Sequence, residues 1–211
     1  MTNEPTDKLI DSLCADLQPC KKLRHPCKCG SGWMAIALVY SAIALAILGI
    51  RDDLLLKLHD LTFLFEVGIM LAMSISAALA TAWMRFPDMR GKPWISAVPY
   101  TLLAVFLAWT LLRTWTEGFG HIIHEDYCLL ATALFSVVPV AAIIMMTRQG
   151  TTVCPYSVAM MNTLAVGGLG YACLRLNCAA DTVSHSCFYH FLPFVFLGMV
   201  LGMAARKIFR W

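Results

Sequence analysis

Six apolar stretches, each close to the length of a bilayer crossing, constrain this chain more than any other feature: residues 33–50, 61–84, 94–112, 127–147, 156–174 and 188–205. A helix rising ~1.5 Å per residue needs ~20 apolar residues to cross ~30 Å of hydrocarbon. Composition agrees, with 59% hydrophobic and 14% charged residues, against about 25% charged in soluble domains. The sequence predicts an all-α membrane protein, a bundle of six transmembrane helices with a short cytoplasmic N-terminal amphipathic helix. The first apolar run starts only at Trp33 and reaches full bilayer length, so it reads as a retained span and not a cleaved signal peptide.

Lys and Arg sort by side. The N-terminal tail (Lys8, Lys21, Lys22, Arg24, Lys28), the second connection (Arg85, Arg90, Lys92), the fourth (Arg148) and the C-terminus (Arg206, Lys207, Arg210) hold twelve of the sixteen. Only Arg51, Lys57, Arg113 and Arg175 fall on the other face. The positive-inside bias then predicts that both termini are cytoplasmic. The net charge of +3 is concentrated beside span ends, where it reports topology and contact with membrane lipid. No basic module for direct nucleic-acid binding is present.

The expected organisation is a cytoplasmic tail over 1–32, a six-helix transmembrane domain over 33–206 and a cytoplasmic C-terminus over 207–211. In the tail, Thr6 can cap a helix over 7–18 that Pro19 stops. Leu9, Ile10, Leu13, Cys14 and Leu17 then share one face, with Asp7, Lys8, Asp11, Ser12, Asp16 and Gln18 mainly outside it. Such a stripe can dock on the bundle, lie in the lipid interface or enter a partner's groove.

Within the spans, Gly167, Gly168 and Gly170 in the fifth and Ser74, Ser76, Ala77, Ala78 and Ala80 in the second allow close helix approach. Pro99, Pro139 and Pro193 can kink helices and free a carbonyl. Glu66, near one end of the second span, is either a functional group in the membrane or a side chain reaching the interface. Asn162 lies within the fifth span.

Of nine cysteines, Cys14, Cys20, Cys27 and Cys29 belong to the tail, and Cys128, Cys173, Cys178 and Cys187 lie at or near the opposite face. The second outer loop carries His121, His124 and Cys128; the third carries Cys178, His185, Cys187 and His190. Imidazole and thiolate together suit zinc or cadmium, so the two loops can close one metal site or one disulfide. Cys128 and Cys178 are candidates for a redox or metal-responsive pair, with His121, His124, His185 or Cys187 as possible metal ligands. Cys173 reads as a small membrane hydrophobe. No Walker A loop, HExxH, GxSxG or dinucleotide fingerprint occurs, so neither an enzyme nor a bound cofactor is predicted.

The opening Leu9-Ile-Asp-Ser-Leu-Cys-Ala-Asp-Leu-Gln-Pro-Cys-Lys-Lys-Leu-Arg-His-Pro26, followed by six spans, resembles the NrsF family of bacterial membrane anti-sigma factors. The cysteine in the second outer loop, the Gly-rich fifth span ending before Cys178, and the Arg210-Trp211 end match as well. The resemblance implies an inner-membrane protein that sequesters an extracytoplasmic-function sigma factor and releases it on heavy-metal or oxidative stress. It implies sensing thiols at Cys128 and Cys178. Joined to the helix reading, it assigns sigma-factor binding to Leu9, Ile10, Asp11, Leu13, Asp16 and Leu17. The rival reading is a heavy-metal or small-solute transporter, for which Glu66 and Asn162 are the polar groups at hand. The oligomeric state is open.

Overall fold

The structure, a computed structural model, describes residues 4–15, 25–86, 93–118, 120, 126–150 and 152–209. Helix α1 spans Glu4–Ala15. Among the described residues, six helices are long and apolar enough to cross a membrane: α2 (Pro26–Leu48), α4 (Leu61–Trp83), α5 (Trp94–Glu117), α6 (Asp126–Arg148), α7 (Pro155–Asn177) and the run Val183–Ile208. That last run divides into the single turn α8 (Val183–His185), a π-helical turn Ser186–Phe191, and α9 (Leu192–Ile208). A short helix α3 (Leu54–Lys57) lies between α2 and α4.

Local chemistry explains the boundaries. Helix α2 begins at Pro26, ahead of the apolar run, because Pro26 is preset for a first helical turn and His25 Nδ1 accepts the Cys27 N–H at 3.3 Å. It ends at Gly49, whose φ of 92° is open to glycine at little cost. Asp60 caps α4 by accepting the Thr62 N–H at 2.9 Å. Helix α1 starts at Glu4, three residues before the position predicted from Thr6.

Helix α7 is the axis of the bundle, packing against α4, α6 and α9 and, less extensively, α2 and α5. Its small residues allow this. A Cβ at Gly168 would run into the Met70 carbonyl and Ser74 of α4, and one at Gly170 into the Phe194 ring of α9. At the α4 contact, Ser74 Oγ donates to the Ala165 carbonyl at 2.6 Å. Asn162 is fully buried and joins three helices, its Oδ1 accepting from Thr81 Oγ1 of α4 at 3.1 Å while its amide faces Thr147 of α6. Between α2 and α6, Trp33 Nε1 donates to the Pro139 carbonyl at 3.0 Å. By alternation of the helices, α2 begins and α9 ends at one end of the bundle. The starts of α4, α6 and α8 and the finish of α7 share the other, called here the cysteine end.

Candidate functional site

The site grows from an irregularity in the last crossing. Pro193 has no N–H to give the Tyr189 carbonyl four residues earlier, and that oxygen instead accepts from Thr132 Oγ1 of α6 at 3.1 Å. Around it runs the π-helical turn, with the Leu192 N–H reaching back five residues to the Cys187 carbonyl. In such a turn residue i+5 stacks over residue i, where an α-helix stacks i+4. His185 and His190 therefore look the same way, and their rings meet edge to face with centroids 5.0 Å apart.

Two cysteines stand against them. Cys128 lies in the first turn of α6 and Cys178 just past the end of α7. The Cys128 thiol donates to Cys178 Sγ at 3.5 Å, and no disulfide joins them. Cys178 Sγ also lies 3.4 Å from His185 Nε2 and receives the Ala180 N–H at 3.4 Å. One donor atom from each of Cys128, Cys178, His185 and His190 lies within 4.8 Å of all the others, and all four residues are buried. Among the described residues, neither buried ring nitrogen of His190 makes a hydrogen bond of ordinary geometry, although the ring faces the Cys178 thiol. The hydrogen bond from Cys128 outweighs burial and holds the Cys178 thiol well below its ordinary range, and the ring of nearby His190 acts in the same direction.

Beside this cluster runs a network of ion pairs that uses all four cations of this end. Glu66 of α4, only 3% exposed, pairs with Arg113 of α5 at 2.5 Å and Arg175 of α7 at 3.2 Å. Arg113 also pairs with Glu117 at 2.6 Å. Arg175 reaches on to Asp181 at 2.8 Å, and Asp181 in turn meets Arg51 and Lys57, each at 2.9 Å. Arg51 closes the circuit on the thiols by donating from Nη1 to the Cys178 carbonyl at 3.1 Å. Burial works to raise the Asp181 pKa, but hydrogen bonds from Arg51 and Lys57 and the charge of Arg175 hold it well below the usual carboxylate range.

Over residues 13–211 the chain matches the family described as negative regulator of sigma F, NrsF. The chain belongs to the NrsF family. No curated protein and no solved structure matches it. Membership makes it a negative regulator with a sigma factor as partner, and the match begins within α1, at Leu13.

Among the residues singled out in this NrsF-family sequence, Cys128 and Cys178 come together from different loops. His185 joins them. So does His190, which the sequence places in the same outer loop but does not mark as a ligand. Cys187 lies apart, lining a cavity with Glu66, Phe106, Arg113 and Tyr171. His121 and His124 lie outside the described residues, as do Asp16 and Leu17 of the tail. On α1, Leu9, Ile10 and Leu13 are 58%, 51% and 63% exposed, and Asp11 is exposed beside them. The bundle leaves that stripe uncovered. Glu66 and Asn162, the two polar groups a transporter would need, are both engaged in contacts that join helices.

Proposed function

We propose that this protein is an inner-membrane anti-sigma factor that holds an extracytoplasmic-function sigma factor on its N-terminal helix and releases it when Cys128 and Cys178 meet a heavy metal or an oxidant. Both termini face the cytoplasm in this reading, and the cysteine end faces outward. One observation carries it: a chain of a sigma-regulator family has an uncovered apolar stripe on α1 and, at the end of the bundle away from its termini, a buried thiol pair at 3.5 Å.

The stripe Leu9, Ile10, Leu13 and Leu17 supplies apolar contact, and Asp11 and Asp16 compete for basic surface that the sigma factor uses on DNA. Oxidation of the pair joins the two sulfurs, releasing two protons and two electrons to a peroxide or a high-valent metal oxyanion. The new bond ties the end of α7 to the start of α6, and α7 carries the change to its other end at Pro155 through contacts with five neighbouring helices. A ten- to hundredfold loss of affinity needs ~1.4 to 2.8 kcal/mol, within the range of allosteric coupling energies.

Affinity capture from the native host, with the full-length protein in detergent, tests the reading. Wild type should retain a sigma factor that is lost both on deletion of residues 1–18 and in Leu13→Asp/Leu17→Asp, with insertion unchanged in the substituted protein. A sigma factor still bound to that variant would overturn the role of the helix, and none bound to wild type would overturn the whole reading.

A further inference from the structure

We propose that Cys128, Cys178, His185 and His190 are the four ligands of a thiophilic divalent cation, zinc or cadmium, held directly at the cysteine end of the bundle. The inference rests on the sensing role given above to the two thiols. It adds that the metal stimulus is coordinated, and by two histidines that the π-helical turn supplies.

Geometry is the first argument. Two sulfurs each ~2.3 Å from a tetrahedral zinc stand about 3.8 Å apart, with sulfur-to-nitrogen edges slightly shorter. The observed separations are 3.5 Å between the sulfurs and 3.4 Å from Cys178 Sγ to His185 Nε2, and all four donors lie within 4.8 Å of one another. Small side-chain rotations close this set around one ion. Donors so arranged come from three separate places in the chain: the start of α6, the loop after α7 and the turn leading into α9.

Charge is the second. The cluster is buried, and a bare ion there would be strongly unfavourable. Two thiolates and two neutral imidazoles around a divalent cation sum to zero. The mixed sulfur and nitrogen set also selects the borderline and soft ions over calcium or magnesium, which take oxygen.

The third is an unexplained polar side chain. Buried imidazole nitrogens are normally hydrogen-bonded, yet neither of those on His190 makes a hydrogen bond of ordinary geometry among the described residues, although the ring faces the Cys178 thiol. A metal on one of them supplies what the protein does not. The surroundings also fit a ligand shell that must hold its aim. The Ala180 N–H points at Cys178 Sγ, Tyr189 stacks on the His185 ring with centroids 4.7 Å apart, and Arg51 fixes the Cys178 carbonyl.

The reaction is an exchange without electron transfer. The cation displaces two thiol protons to solvent, forming two metal–sulfur and two metal–nitrogen bonds while two S–H bonds break. Because a disulfide removes the thiolates, metal and oxidant exclude one another at this site, and bound metal shields the pair from oxidation.

Cadmium NMR on the reduced full-length protein in detergent, titrated with cadmium chloride and in parallel with zinc chloride, tests the assignment. Wild type should hold one more equivalent of either metal than Cys128→Ser/Cys178→Ser, and its additional cadmium resonance should have the shift of two sulfur and two nitrogen ligands. His185→Gln and His190→Gln should each weaken that equivalent by roughly tenfold or more. Equal metal content in wild type and the double serine variant, a resonance typical of sulfur or oxygen ligands alone, or unchanged affinity in both histidine variants would overturn the proposal. Sigma-factor capture run without added metal separates this from the anti-sigma reading. Capture without the resonance removes only the metal site, and the resonance without capture removes only the anti-sigma role.

Discussion

A carboxylate near the end of an apolar helix has two readings in a sequence, function within the membrane or escape to its interface, and the fold buries Glu66 among cations. It is the anion that Arg113 and Arg175 share, at 2.5 and 3.2 Å. Glu66→Ala would leave two guanidinium groups in a buried place without their counter-charge, and removal of one partner from such a set costs about 3–5 kcal/mol. The thermal unfolding midpoint in detergent should fall sharply for Glu66→Ala, and less for Glu66→Gln, which keeps the shape and a hydrogen-bond acceptor. Glu66 is visible in the sequence as an anomaly, but its partners are 47 and 109 residues away and no local pattern joins them. The thiols are easier, because cysteines in the two loops of one face point at each other once the spans are drawn. His190 is hidden, since a five-residue spacing belongs to neither an α-helix nor a strand. It becomes meaningful only with the π-helical turn that precedes Pro193.

Among the elements, hydrophobic length locates every crossing, and the ends shift where polar residues continue a helix beyond its apolar part. Helix α2 gains about two turns from Pro26 onward, and the sixth crossing starts at Val183 instead of Phe188. The small residues of α4 and α7 announce close packing, and the structure makes it their main contact. Gly168 is the tightest point of the α4–α7 contact, where any side chain meets the Met70 carbonyl. Gly168→Leu should push the two helices apart, lowering stability by about 1–3 kcal/mol or more, read as a lower unfolding midpoint in detergent. Gly32 has open space on the side where a Cβ would project, and it should accept Ala with little change in the same measurement. The amphipathic pattern of α1 is legible as well, but the sequence leaves three destinations open to it. Exposure of Leu9, Ile10 and Leu13 removes the bundle as their cover.

At the scale of the whole molecule, the ion-pair network binds α4, α5 and α7 to the loops that carry Arg51 and Asp181, so the cysteine end is fastened by charge as well as by packing. Asp53, Asp60 and Asp181 all hold their protons less tightly in the fold than in an unfolded chain. The unfolded state then binds more protons as pH falls. The network's contribution is complete above the usual carboxylate pKa of about 4 and is lost progressively below it. An unfolding midpoint measured against pH should drop below about pH 4, and Asp181→Asn should be less stable at neutral pH with a shallower acid decline. Helix α7, wrapped by its neighbours and the least apolar of the six crossings, has consequences for how the protein is made. Carrying Asn162, three glycines and Arg175, it has little to offer a translocon that sorts segments by their affinity for lipid. Its entry into the membrane would depend on α4 and α6 already being there to receive it, so the thiol and imidazole cluster at its tip is completed only at the last stage of biogenesis.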